Sequence, residues 1–203
     1  MERIAADQPM KKGKPRRIEY EYARHGTTCL MAAIDVGQGK LINHRLHPTR
    51  NEEDFVIFID KTADSISQED ELIFLADQLN IHQSESLVRW VAQKINFEGD
   101  LGTKGYKGIL KSTETRKEFL ESTEHRIRFV FTPKHCSWLN PIENWFAKLQ
   151  RHIIKHGNFS TVKELEGKIE NYIEFYNRCL IKPLKWKFQG FVKAQKFEQL
   201  NCY

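Results

Sequence analysis

Glu71-Leu72-Ile73-Phe74-Leu75-Ala76-Asp77 is the stretch that decides the fold. Four large apolar residues in a row, preceded by charge and closed by an acid, suit a strand buried on both faces, and such strands belong to parallel sheets. Upstream, Phe55, Ile59 and Ile66, with Val56 and Ala63, recur at roughly helical spacing after Pro48, a cap at Thr49 and an acidic first turn, which predicts a helix crossing back over the sheet. Before it, residues 27–36 form a strand-like apolar run, Gly37-Gln38-Gly39 a turn, and residues 40–47 alternate Leu41, Asn43 and Arg45 against Ile42, His44 and Leu46, so this part predicts a β-hairpin. Downstream, Leu87, Val88, Val91 and Ile95 mark a second helix. A Gly-rich basic stretch and a short helix over 113–120 follow, and the whole of 96–125 reads as an insertion. Residues 126–132 alternate as a half-buried edge strand that Pro133 stops. Helices over 141–156 and 162–180, the second opened by a Thr161/Glu164 capping box, complete an α/β pattern with a mixed sheet.

The chain has 203 residues, with 32 Lys+Arg against 27 Asp+Glu, enough for one globular domain. Its longest apolar run is the six residues 29–34, far below the roughly 18 that a spanning helix needs, and no apolar segment of signal-peptide type follows the basic N-terminus. Cys29, Cys136, Cys179 and Cys202 are scattered without a Cys-x-x-Cys pair, so neither a zinc ribbon nor a disulfide scaffold is expected, and reduced thiols in the cytoplasm are.

Charge is unevenly distributed. Residues 51–100 hold 12 Asp/Glu and 3 Lys/Arg, whereas residues 101–156 hold 11 Lys/Arg and 5 Asp/Glu. Both ends are basic. Residues 1–19 read as an extended arm carrying Lys11, Lys12, Lys14, Arg16 and Arg17, the domain as 20–180, and residues 181–203 as a tail in which Lys182, Lys185 and Lys187 interleave with Trp186 and Phe188. Lys/Arg with interleaved aromatics suits phosphate neutralisation and base stacking. Two solvated basic tails are the plainer reading.

Asp77 stands out because ligand sites of α/β sheets lie beyond the carboxyl ends of parallel strands. An Asx turn or a helix N-cap in Asp77-Gln78-Leu79-Asn80 is the plainer account of it. Glu143 lies in the first turn of a helix opened by Asn140-Pro141, beside the apolar face of Leu139, Ile142, Trp145, Phe146, Leu149 and Ile153. Asn140 with Glu143 also fits a capping box. Read as a pair, two such carboxylates suit Mg²⁺ or Mn²⁺, hard ions that leave positions open for phosphate. His152 and His156 at i, i+4 lack the acid of a zinc-protease motif, and His82 and His135 lie where they could contact DNA or serve structure. Cys136 beside His135 is a weak candidate for thiol chemistry, and no Gly-rich phosphate loop is present.

Three blocks carry a resemblance: Glu21-Tyr22-Ala23-Arg24-His25-Gly26-Thr27, then Leu75-Ala76-Asp77-Gln78-Leu79-Asn80-Ile81-His82, then Phe131-Thr132-Pro133-Lys134-His135-Cys136-Ser137-Trp138-Leu139-Asn140-Pro141-Ile142-Glu143. Over nearly its whole length the chain resembles the DDE endonuclease domain of bacterial insertion-sequence transposases of the mariner-like group. The resemblance implies an RNase H-like mixed sheet flanked by helices and two Mg²⁺ or Mn²⁺ ions. It also implies cleavage and strand transfer on double-stranded DNA, a homodimer in the full-length form, and a place at the bacterial nucleoid. Asp77 would be the second catalytic acid and metal ligand and Glu143 the third, while Lys134 and His135 would face DNA with Lys11, Lys12, Arg16, Arg17, Lys185 and Lys187. Asp77 and Glu143 stand 66 residues apart, longer than in many members, and the stretch 96–125 accounts for the excess.

The family's first aspartate sits on a central first strand that this sequence is expected to lack, along with the preceding helix-turn-helix region; neither Asp7 nor Asp35 matches its motif. An N-terminally truncated chain, inactive alone, is the resulting expectation. The alternatives are a non-catalytic DNA-binding or dimerising remnant, and an unrelated metal hydrolase that would need Asp35 as a further ligand.

Overall fold

The computed structural model describes residues 2–4, 8–15, 17, 22–155 and 157–184. Its first elements are β1 (Glu2–Arg3) and β2 (Tyr22–Ala23), paired antiparallel, with bridges Gln8↔Arg17 and Lys11↔Lys14 between them. The described part of the arm is therefore folded back on itself, not extended. Gly13, at φ 77°, allows the reversal that Lys11 and Lys14 close with two backbone hydrogen bonds. Arg16, Lys185 and Lys187 lie outside the described residues.

The expected hairpin forms from β3 (Cys29–Asp35) and β4 (Lys40–His47), antiparallel from Cys29↔His47 to Asp35↔Lys40 with a register shift between Ala33 and Ile34. Helix α1 (Glu52–Asp64) is capped by Asn51 and not by Thr49: the Asn51 side chain accepts from the Asp54 N–H at 2.7 Å, and the Asp54 carboxylate accepts from the Asn51 N–H at 3.2 Å. Thr49 contributes differently, by donating its hydroxyl to Asp54, and Arg45 of β4 reaches the same carboxylate at 3.0 Å. Buried Asp54 thus ties the helix start to the hairpin.

Strand β5 (Leu72–Ala76) pairs in parallel with β6 (Ile127–Phe131), in register from Leu72↔Ile127 to Ala76↔Phe131. Between them lie α2 (Glu85–Lys94), capped by Ser84, and α3 (Thr113–Glu121), capped by Ser112. The stretch read as an insertion is built into the domain: Leu110 and Leu120 are fully buried, and Arg116 donates to the carbonyls of Gln83 and Leu110. Its glycines are structural as well. Gly102 and Gly108, both at positive φ, lie backbone against backbone where a Cβ would not fit. Helix α4 (Ile142–Leu149) passes into a π-helical turn over Gln150–Ile154, and α5 (Val162–Cys179) follows. The Thr161 side chain caps α5, but Glu164 turns back to Ser160 and leaves the reciprocal bond of a capping box unmade.

The architecture is mixed α/β, compatible with an RNase H-like fold. Two apolar clusters hold it together. One gathers α1, α2, α3, β5 and β6 around Phe58, Val88, Leu120 and Phe129; the other gathers β4, α4 and α5 around Leu41, Trp145, Ile173 and Tyr176. Strand β3 serves both, sending Met31 and Ala33 to the first and Leu30, Ala32 and Ile34 to the second. Among the described residues β3 pairs only with β4 and β5 only with β6.

Phe129 is fully buried and stacks on Phe74 at 5.1 Å. Phe129→Ala is expected to cost about 3–5 kcal/mol, read as a lower urea midpoint. Burial pushes the Asp54 carboxyl up, but the hydrogen bonds from Asn51, Thr49 and Arg45 and the charge of His47 outweigh it and hold the pKa low. Stability from Asp54 is therefore present above the unfolded carboxyl pKa of about 3.9 and is lost as pH falls through the lower folded value. Asp54→Asn should lower the urea midpoint at neutral pH and flatten its decline on acidification.

Candidate active site

Parallel pairing makes β5 and β6 release the chain at the same end. The Thr132 N–H extends the ladder by donating to the Ala76 carbonyl at 2.9 Å, and the Gln78 side chain donates to the Thr132 carbonyl at 2.7 Å. Asp77 therefore starts a loop directly beside the turn that leads to Glu143.

Asp77 Oδ1 accepts the Leu79 N–H at 3.1 Å, so the Asx turn is real. The same oxygen lies 2.7 Å from His82 Nδ1, and the His82 ring rests on Phe55 with centroids 4.4 Å apart. The His82 hydrogen bond, acting against burial and helped by the charges of His82 and Arg50 and the Leu79 N–H, holds the Asp77 carboxyl below its ordinary range. Asp77 thus stays ionised at neutral pH, and Oδ2 carries no hydrogen bond among the described residues.

From Thr132 the chain turns through Pro133, whose carbonyl accepts the Cys136 N–H, with His135 in the left-handed region at φ 61°. A 3-10 turn over Ser137–Leu139 leads to Asn140, whose side chain accepts the Ile142 N–H at 3.3 Å. Glu143 follows in the first turn of α4. The capping box expected of Asn140 and Glu143 does not form: the Glu143 carboxylate is exposed, with no hydrogen bond among the described residues. It is free for another partner.

Both Asp77 and Glu143 line one cavity of about 1020 Å³ between β3 and β5. Asp35 lines it too, but from the opposite end. Arg50, just beyond the end of β4, acts electrostatically on Asp77, so β4 and β5 finish together and antiparallel β3 carries Asp35 away, about 20 Å along the strand. Asp35 is further held by the Gln38 N–H. It cannot join Asp77 and Glu143 on one ion, and no cluster of three His, Cys, Asp or Glu occurs among the described residues.

The other candidates separate. Lys134 and His135 are exposed on the turn beside Glu143 but do not line the cavity. Lys11, Lys12 and Arg17 are exposed on the folded arm, outside the cavity lining. His152 bonds the Tyr172 hydroxyl at 3.1 Å, and His156 lies outside the described residues. Arg50 lines the cavity near Asp77 and has no signal in the sequence, since nothing in a lone Arg after Pro48-Thr49 shows that the chain leaving β4 brings it there.

Residues 2–166 match the family described as DDE superfamily endonuclease, and residues 143–190 match the one described as integrase core domain. The chain belongs to the DDE endonuclease superfamily. No curated protein and no solved structure matches it. The DDE assignment makes this a nuclease domain of the transposase and integrase type, whose substrate is DNA. DDE nucleases generally use divalent metals, and ionised Asp77, with one oxygen free among the described residues, lines the same cavity as exposed Glu143, a pair of oxygen donors that suits a hard cation. None of the described helices is long and apolar enough to cross a membrane.

In metal-free buffer, His82→Ala should raise the Asp77 pKa, followed by carboxyl NMR titration, while far-UV circular dichroism stays unchanged. An Asp77 that titrates as in the parent would show that His82 does not hold it.

Proposed function

We propose that the chain is the catalytic domain of a mariner-like insertion-sequence transposase that cuts and joins double-stranded DNA at transposon ends. What supports this reading is the placement of Asp77 and Glu143 at one end of the strands, on one cavity, in a chain of the DDE endonuclease superfamily. Asp77 and Glu143 would hold Mg²⁺ or Mn²⁺, which would supply a polarised water and charge neutralisation at the scissile phosphate. His82 keeps Asp77 ionised and oriented for that task, and Arg50 offers a cation to a phosphate beside it. Lys134, His135 and Trp138, which is 68% exposed on the adjoining turn, suit contact with backbone and bases. The basic arm, with Lys11, Lys12 and Arg17, and the basic tail would add phosphate contacts. Assembly as a homodimer on paired ends and a cytoplasmic, nucleoid-associated location belong to the same proposal.

Two carboxylates, Asp77 and Glu143, count toward the ion in this reading, since Asp35 lines the opposite end of the cavity among the described residues. We infer that this 203-residue chain alone binds the ion weakly and cuts DNA poorly. The same count favours a second reading, a non-catalytic DNA-binding or dimerising remnant.

The test combines Mn²⁺ titration, DNA binding at several salt concentrations and a plasmid-nicking assay on the chain and its Asp77→Asn and Glu143→Gln variants. The expected result is weak Mn²⁺ binding lost in both variants, with DNA affinity falling steeply with salt and nicking near background. Nicking that Glu143→Gln abolishes would overturn the inference of inactivity and keep the transposase. Nicking that survives both substitutions would overturn the site, and salt-steep DNA binding without Mn²⁺ binding would favour the remnant.

A further inference from the structure

The loop that joins α2 to α3 buries its apolar residues and turns its charge outward. Leu110 is fully buried, and Leu101 and Ile109 pack against the first apolar cluster, so both legs of the loop are anchored. Between the anchors Thr103 and Lys107 form an antiparallel bridge, the Leu110 N–H donates to the Leu101 carbonyl at 2.9 Å, and the Gly102 N–H donates to the Asp100 carboxylate at 2.8 Å. These bonds make a knuckle with a fixed backbone, exposed from Thr103 to Gly108. Residues 101–113 hold three lysines and no acid, and Tyr106 stands 76% exposed among them, where the fold gains almost no burial from its ring. The knuckle sits at the acid end of the strands. Lys104 Nζ lies 3.7 Å from Glu85 in the first turn of α2, and Arg116 of α3 ties the Leu110 carbonyl to that of Gln83, the last residue of the 3-10 turn that brings His82 to Asp77. On its other flank Lys134 stands near enough to Glu114, in the first turn of α3, for its charge to act there. No knuckle residue lines the cavity that holds Asp77 and Glu143.

We propose that the knuckle over 101–113 is a separate duplex contact that grips the DNA backbone to one side of the cut, with Lys104, Lys107 and Lys111 on phosphates and Tyr106 against the sugar-phosphate chain. Lysines are point charges suited to phosphate, and a tyrosine hydroxyl is a regular partner of the DNA backbone. The acids near the lysines leave them open to a polyanion. Glu85 is held more closely by Arg89, at 2.7 Å, than by Lys104, and the Lys107–Asp100 pair is exposed on both sides, where an ion pair contributes little. A tip of lysines around a single ring offers no apolar centre for a protein interface, which favours DNA as the occupant. The backbone is already ordered, so contact costs little conformational entropy. The start of α3 lies between the knuckle and the turn bearing Lys134, so the two contacts flank it and hold the duplex at the end where Asp77 lies.

The inference rests on DNA being the substrate, and its test separates the two. Binding of a fluorescein-labelled duplex is followed by anisotropy at several salt concentrations, without divalent metal, so that cutting plays no part. The proteins are the full chain, a Lys104→Ala/Lys107→Ala/Lys111→Ala variant, Tyr106→Ala, and a control of equal charge change away from the knuckle, Lys40→Ala/Lys163→Ala/Lys168→Ala. All these positions are exposed, and circular dichroism checks that each variant folds. The knuckle variant is expected to lower the slope of log affinity against log salt by about 2 to 3 and to weaken binding roughly tenfold or more. Tyr106→Ala is expected to weaken binding about threefold with the slope unchanged, and the control to keep the parent's slope. A steep parent slope that the knuckle variant retains would overturn the contact and leave the DNA reading standing; self-association lost in that same variant would assign the surface to acidic residues of a second copy. A parent without salt-dependent binding would overturn both. Equal losses in the knuckle variant and the control would overturn a placed contact in favour of attraction by net charge.

Discussion

The parallel pairing of β5 with β6 is the constraint on which the rest depends. Parallel strands end together, so Ala76 opposite Phe131 places Asp77 beside the turn that carries Glu143, although 66 residues separate the two acids in sequence. Everything between has to return the chain to the start of β6, which α2, α3 and the loop joining them do while burying Leu87, Val88, Leu110 and Leu120. A shift of one residue in this pairing would point Phe129 away from the core and move the Asp77 loop off the Glu143 turn.

Around that pair, polar groups set the geometry of the site. Asp54 fixes the start of α1 against β4, α1 presents Phe55, Phe55 supports the His82 ring, and His82 holds Asp77. The hairpin contributes Arg50 from the other direction. Asp77 is thereby both a turn former and an ionised acid with a spare oxygen, so the structural and functional readings of this residue are compatible.

Much of this was legible in the sequence because it rests on local patterns. The apolar run 72–75, the alternation in 40–47 and the helical stripes identified the elements, and the strand-end place of Asp77 and the helix-start place of Glu143 followed from them. What escaped detection depends on contacts distant in sequence or on rivalry between neighbouring caps. Asn51 and Thr49 both suit a helix start, and only the place of Asp54 decides between them. The basic, Gly-rich composition of 96–111 looks like an addition, since it does not reveal that Leu110 lands in the core. The π-turn at Gln150–Ile154 has no signal in the apolar spacing of Leu149 and Ile153. His82 reads from sequence as a residue that could contact DNA or serve structure, and its bond to Asp77 depends on the 3-10 turn over Asn80–Gln83 that brings it round.

Among the described residues the two apolar clusters meet along β3 with no hydrogen-bonded ladder from β3 to β5, and side-chain hydrogen bonds from Arg45 to Asp54 and from Asn43 to the Phe58 carbonyl cross from β4 to α1. Sheet ladders transmit cooperativity because breaking one rung exposes the next; a boundary of side-chain packing alone transmits it weakly. The half built on β5, β6 and α1 to α3 is thus coupled to the half built on β4, α4 and α5 through side chains and not through a shared ladder among the described residues. Asp77 follows β5 of one half and Glu143 opens α4 of the other, so the spacing of the two carboxylates follows from the side-chain contacts across β3 and between β4 and α1.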